Sequence, residues 1–194
     1  MRTRSRSTVR PLWPPPSPAR FATWSHYRLR DHGDHTRPVD PRSAGTQVDD
    51  EVLEERVAYN LSKDAQLKEE ARINVVAYNG KVLLIGQAPT MSASESAKNL
   101  AAGAEGVTEI YNEIRTGEKI GVGQISIDSW ITTAIKSKLL ANSEVKATEV
   151  KVITENGEVF LIGKLSPAQA DAAAEVARNV RGVNKVIKVI NYVQ

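Results

Sequence analysis

The sequence predicts an α+β fold built from two tandem αββαβ units, each a small sheet packed by two helices. Three observations predict it. One segment is spelled twice, first as Asn79-Gly80-Lys81-Val82-Leu83-Leu84-Ile85-Gly86 and again as Asn156-Gly157-Glu158-Val159-Phe160-Leu161-Ile162-Gly163. The copies lie 77 residues apart, too far for a solenoid repeat and right for a small domain. Around each copy the apolar spacing runs from helical to alternating and back to helical.

Each repeated segment opens with Asn-Gly, the dipeptide that best tolerates the two positive φ angles of a type I′ hairpin turn. Ile73, Val75 and Ala77 alternate before the first turn, and Val150, Val152 and Thr154 before the second. A denser apolar run follows each turn, so strands are expected at about 72–78 and 81–86 and at the matching places in the second copy. A helix beginning near Thr46 precedes the first hairpin. Asp49, Asp50 and Glu51 crowd its start, where acid complements the helix dipole, and Leu53, Val57 and Leu61 form its buried stripe. Ser92-x-x-Glu95 has capping-box spacing and opens a second helix, with Ala97, Leu100, Ala101 and Ala104 as its apolar face and Gly106 as its stop. Val107, Ile110 and Ile114 lead into a last strand. In the second copy Ile131, Ile135 and Leu139 form the first stripe. Ser166-Pro167-Ala168-Gln169 combines N-cap, proline at the first helical position and capping-box partner. Ala173, Val176, Ala177 and Val180 face inward, Gly182 is the stop, and Val183, Val186 and Ile190 lead into the last strand. The expected organisation is a disordered or misassigned segment over 1–45, a first domain over 46–117, a linker over 118–127 and a second domain over 128–194. Gly121-x-Gly123 follows a strand but lacks the third glycine and the lysine of a phosphate loop, so it reads as flexible connection.

Composition narrows the function classes. There is no cysteine, and all three histidines, His26, His32 and His35, precede the repeats. The repeats thus lack the commonest general base and the soft metal ligands. Glu54/Glu55 and Glu69/Glu70 are neighbouring carboxylates, read as solvated surface rather than as an acid–base pair. No catalytic residue, cofactor or metal is expected. The formal charge of +3 is unevenly shared: residues 1–39 carry +6, residues 40–120 carry −5 and residues 121–194 carry +2. Nucleic acid is not an expected partner, because the two domains together are acidic and lack interleaved aromatics and arginines.

Residues 1–39 show no periodicity. Arg2, Arg4, Arg6 and Arg10 are followed by Pro11, Pro14, Pro15, Pro16 and Pro18, while Trp13 and Trp24 stand isolated. Such a segment resembles an organellar transit peptide or a basic tail. His32 and His35 with Asp31 and Asp34 are metal-ligating residue types, but they fall within it.

The two units resemble the bacterial BON domain, a lipid-associated αββαβ fold. The resemblance is carried by the segments 79–86 and 156–163 and by the pairs Gly106-Val107 and Gly182-Val183. It is carried also by Asp40-Pro41-Arg42-Ser43, by the run from Gly45 to Asp50, by the run from Tyr111 to Gly117, and by Trp130-Ile131-Thr132-Thr133. It implies a periplasmic protein on the inner leaflet of the outer membrane that binds anionic phospholipid and supports envelope integrity. It also implies a link to the division site and to osmotic stress, with outer-membrane assembly or envelope proteins as candidate protein partners. Family members carry a signal peptide ending in a lipidated cysteine. The resemblance here starts abruptly at Asp40, so a wrong start or an upstream frameshift is expected, with a member that has lost its anchor as the alternative.

The residues expected to touch lipid lie on the first helix of the second copy. At ~100° per residue, Ile131, Ile135 and Leu139 point to the core and Trp130 points roughly away. Thr133, Ala134, Ser137, Leu140 and Ala141 share or flank the face of Trp130, Lys136 and Lys138 lie at its margins, and no acid occurs from Trp130 through Ser143. The same face in the first copy carries Val52, Glu55, Arg56, Tyr59 and Ser62. A Trp and a Leu among lysines without carboxylates suit a headgroup boundary. The alternatives are that Trp130 packs on the linker or the first domain, and that the protein is a protein-binding adaptor working through its acidic first copy.

Overall fold

The computed structural model describes residues 44–193. The N-terminal segment 1–43, with its histidines, Trp13 and Trp24, lies outside the described residues. In chain order the first unit is α1 (Ala44–Ser62), α2 (Ala65–Glu70), β1 (Arg72–Tyr78), β2 (Lys81–Ala88), α3 (Met91–Ala102) and β3 (Glu109–Thr116). The second is α4 (Val122–Leu140), a 3-10 turn (Ala147–Glu149), β4 (Val150–Glu155), β5 (Glu158–Leu165), α5 (Pro167–Arg178) and β6 (Lys185–Tyr192). Each unit therefore has the expected αββαβ order, and the first adds the short helix α2, which the sequence reading does not contain.

Both hairpins form as the Asn-Gly signal demands. Asn79 and Gly80 have φ of 52° and 77°, and Asn156 and Gly157 have 50° and 74°. In each sheet the middle strand pairs antiparallel with its hairpin partner and parallel with the last strand, giving the orders β1-β2-β3 and β4-β5-β6. The glycine that closes each repeated segment has a steric reason. A Cβ on Gly86 would lie 1.9 Å from the carbonyl oxygen of Arg72, and one on Gly163 would lie 2.0 Å from that of Glu149. The partner strand begins there against bare backbone.

One face of each sheet carries its helices. Leu53, Val57 and Leu61 join Ile73, Ala77, Val82, Leu84, Ala97 and Ala101 in one core. Ile131, Ile135 and Leu139 join Val152, Val159, Leu161, Ala173 and Ala177 in another. The opposite faces of the two sheets meet each other. Val76, Tyr78, Leu83 and Ile85 pack with Phe160 and Ile162, flanked by Tyr111, Ile153, Ile187 and Val189. Residues 44–193 form a four-layer α/β/β/α stack. That is why the runs after the hairpins are dense rather than alternating: β2 and β5 are buried on both faces.

A polar set closes the edge of this third core. Buried Glu155 pairs with Arg72 and accepts from Asn74 Nδ2 at 2.9 Å and Gln87 Nε2 at 2.9 Å. Arg115 bridges Glu113 and Glu158 at 2.9 Å each, and Lys151 reaches Glu54 at 3.6 Å.

Several local expectations are corrected. The residue capping α3 is Thr90, whose Oγ1 accepts from the Ala93 N–H at 3.1 Å, not Ser92. The capping box at Ser166 and Gln169 forms as expected. Gly106 and Gly182 do not stop their helices, which end at Ala102 and Arg178 with Gly103 and Asn179 as C-caps. They instead supply positive φ, 98° and 92°, in the turn into the last strand. Asp49, Asp50 and Glu51 lie beyond the first turn of α1, because the helix starts at Ala44. Residues 122–127 of the stretch read as linker form the first turns of α4. Gly123 argues against helix by only about 1 kcal/mol, and the Gln124 to Asp128 side-chain bond at 2.9 Å counters it.

Candidate functional site

The position of α4 is set from its inner side. Ile131, Ile135 and Leu139 are fully buried against the sheet. Asp128, only 4% exposed, accepts the backbone N–H of Asn156 at 2.6 Å and of Gly157 at 2.9 Å. Thr132 and Thr154 hydroxyls meet at 2.8 Å. Core contacts and a carboxylate on the hairpin turn thus fix the rotation of the helix about its own axis. Asp50 does the same in the first unit, accepting from Asn79 at 2.8 Å and Gly80 at 3.0 Å. The sequence reading assigned Asp50 to the helix dipole and gave Asp128 no role. The signal was a shared i, i+3 spacing to Leu53 and Ile131.

With the rotation fixed, the outer face is fixed too. Trp130 is 56% exposed and Leu140 71%. Two residues that the sequence reading missed join them, Val122 at 79% and Ile127 at 49%. Both lie in the stretch read as linker. The helical wheel continued two turns toward the N-terminus contains both, although Gly121 and Gly123 signal a flexible connection. Thr133, Ser137 and Lys138 are exposed, and Ala134 is half-buried against the core of the second unit. Three exposed hydroxyls on and beside this face are satisfied within the helix. Ser126 donates to the Val122 carbonyl at 3.0 Å, Ser129 to that of Ile125 at 2.9 Å and Thr133 to that of Ser129 at 3.0 Å. A hydroxyl bonded to the preceding turn loses less when water leaves.

Lys136 stands apart from the stripe. It is half-buried, and its ammonium is held below the usual lysine range, first by that burial and second by the neighbouring Lys151. Lys138 is exposed beyond the stripe on the other side. The one carboxylate of α4, Asp128, points inward to the hairpin. The outer face of α4 therefore combines four exposed apolar side chains with lysines at both margins and no acid. The matching face of α1 carries Val52, Glu55, Arg56 and Tyr59, with Arg56 donating to the Glu105 carbonyl at 3.2 Å and Lys63 lying 4.5 Å from the Tyr59 ring centre. Among the described residues no helix is long and apolar enough to cross a membrane. Two of the carboxylates weighed as acid–base groups hold structural hydrogen bonds: Glu54 accepts from the Ala77 N–H at 2.8 Å and Glu70 from Gln66 Nε2 at 3.0 Å.

Comparison with known proteins fits this duplicated architecture. Residues 49–118 and 127–194 each match the BON domain. The chain is 55% identical over 154 residues to the outer membrane lipoprotein DolP of Haemophilus influenzae (strain ATCC 51907 / DSM 11121 / KW20 / Rd), covering 79% of this chain and 80% of that protein. It is 33% identical over 145 residues to the osmotically-inducible protein Y of Escherichia coli (strain K12), covering 73% and 72%. Among solved structures, the C-terminal domain of CdsD, the structural protein of the Type III secretion system of Chlamydia trachomatis, aligns with a TM-score of 0.31 and 12% identity, over 73% of this chain and 98% of that one.

Proposed function

This chain belongs to the BON-domain family, and on that premise we propose that it is a non-enzymatic phospholipid-binding protein of the bacterial cell envelope. It binds anionic lipid at the periplasmic leaflet of the outer membrane through α4 and supports outer-membrane integrity. The observation that carries this reading is the exposed row Val122, Ile127, Trp130 and Leu140, on a helix whose rotation is locked from behind and whose outer face bears lysines but no carboxylate. Membership of a family that includes an outer membrane lipoprotein supports the location. A helix of this kind lies in the interface plane rather than across the bilayer. At ~1.5 Å per residue its 19 residues present a strip about 28 Å long.

Binding through this strip alone is weak and reversible. Each lysine near an anionic surface contributes about 1 kcal/mol, and stable attachment takes a second signal such as a lipid anchor. The experiment is flotation or sedimentation of the protein with anionic and with neutral vesicles. Trp130→Glu should fold and lose most anionic-vesicle binding. Lys136→Glu and Lys138→Glu should weaken it further, and wild-type binding should fade with salt as surface attraction is screened. A folded Trp130→Glu protein that binds vesicles like wild type would move the adaptor reading ahead.

A further inference from the structure

The duplication supplies an internal control for the surface beside α4. The stripes of α1 and α4 align Leu53 with Ile131, and the Gly-Val pairs align Glu105 with Arg181. In the first unit the flank facing this turn carries Asp49, Arg56 and Asn60. Arg56 donates to the Glu105 carbonyl at 3.2 Å and Asn60 to the Leu100 carbonyl at 3.3 Å, so these polar groups tie α1 to α3. In the second unit the aligned residues are Ile127, Ala134 and Lys138, with Arg181 in place of Glu105. Over these four positions the formal charge changes from −1 to +2.

The turn holding Arg181 lies against the same flank of α4, since a Cβ on Gly182 would sit 3.0 Å from Ile131 Cδ1. Ile127, Ile131, Ala134 and Lys138 follow one another at helical spacing along this flank, which borders the face of Trp130. Arg181 is exposed. Arg178 pairs with Glu175 at 3.2 Å and Lys188 with Asp171 at 2.7 Å, whereas Arg181 and Lys138 have no ion-pair partner among the described residues.

We propose that Arg181, on the turn between α5 and β6, is a second-element contact of the lipid surface and holds lipid phosphate beside the Ile127–Trp130 side of α4. This rests on the reading of α4 as a lipid-binding helix. A guanidinium presents a planar fork of donors that matches phosphate oxygens. Its place on a separate element sets a second cation beside the flank of α4, which a lone amphipathic helix cannot offer.

The test uses the full chain and vesicles of phosphatidylcholine with and without phosphatidylglycerol. Arg181→Ala should lower affinity for the anionic vesicles about fivefold, and Arg181→Glu, which copies the first unit, about tenfold or more. Arg181→Lys should recover most of the charge effect. Arg178→Glu, the same charge change on α5, should cost clearly less. Wild-type affinity in Arg181→Ala and Arg181→Glu, or an equal loss in Arg178→Glu, would overturn the placement of Arg181. If Trp130→Glu still abolishes binding in that case, the α4 reading survives without it. Equal binding of wild-type protein to neutral and anionic vesicles would remove both. Circular dichroism of each variant separates lost binding from lost folding.

Discussion

Asp50 and Asp128 show how a single residue can orient a whole surface. Each sits on the inner side of its helix and accepts two backbone N–H groups of an Asn-Gly turn. Charged acceptors contribute about 1.5–3 kcal/mol per hydrogen bond. Asp128→Ala should therefore lower stability by about 3 kcal/mol or more, read as a fall in the urea midpoint. It should also weaken vesicle binding even though the side chain never faces solvent, because α4 loses its rotational lock. Asp128→Asn, which keeps one acceptor oxygen, should fall between Ala and wild type. Gly163 acts by the opposite means, having no side chain where Glu149 passes. Gly163→Ala should destabilise by about 3 kcal/mol or more, seen as a lowered Tm. A Tm within a degree of wild type would mean that β4 can start elsewhere.

At the scale of the element, α4 and α1 descend from one pattern and have diverged on their outer faces. Ile127 replaces Asp49, Trp130 replaces Val52 and Leu140 replaces Ser62. Ile127→Ser should fold normally and reduce anionic-vesicle affinity about fivefold, from loss of a partly inserted aliphatic chain. Val52→Glu on α1 should leave binding unchanged. The helical state of residues 122–127 has its own test. Gly123 has open space around its Cβ position and no positive φ. Gly123→Ala should raise stability by about 0.5–1 kcal/mol through helix propensity. A destabilising result would mean that this stretch needs glycine's freedom and is not helix.

The whole molecule holds together through a core that belongs to neither repeat alone. Phe160 and Ile162 from one sheet fill the space above Val76, Tyr78, Leu83 and Ile85 of the other. Phe160→Ala should cost about 3–5 kcal/mol. Glu155→Ala should cost about 2–3 kcal/mol, less than a fully enclosed pair because Arg72 keeps some solvent contact. Proteolytic cleavage near Gly121 should leave two halves that elute together by size exclusion, each with its own helix-side core. Halves that separate freely would show that the sheet-to-sheet contact contributes little. The same contact gives the second unit, and with it α4, a stable support while the helices of the acidic first unit sit beyond both sheets.

The repeat spacing, the two Asn-Gly turns and the apolar periods were enough by themselves to determine two αββαβ units, their strands and the stripes Leu53/Val57/Leu61 and Ile131/Ile135/Leu139. These are local signals, since turn type and side-chain period depend on neighbours within a few residues. The outward direction of Trp130 and Leu140 was legible for the same reason. Tertiary structure decided the rest. A dense strand such as β2 signals burial on both faces but not what covers the second one, so the packing of sheet on sheet was hidden. Asp50 and Asp128 reach a turn 28 to 30 residues away, a distance over which sequence carries no register. Thr90 rather than Ser92 caps α3, and α4 begins at Val122 inside the stretch read as linker, because helix ends are settled by which groups meet once the core has closed. Arg181 joins the flank of α4 only through the contact between its turn and Ile131. Such contacts are made by the folded chain, and periodicity along the strand or helix does not encode them.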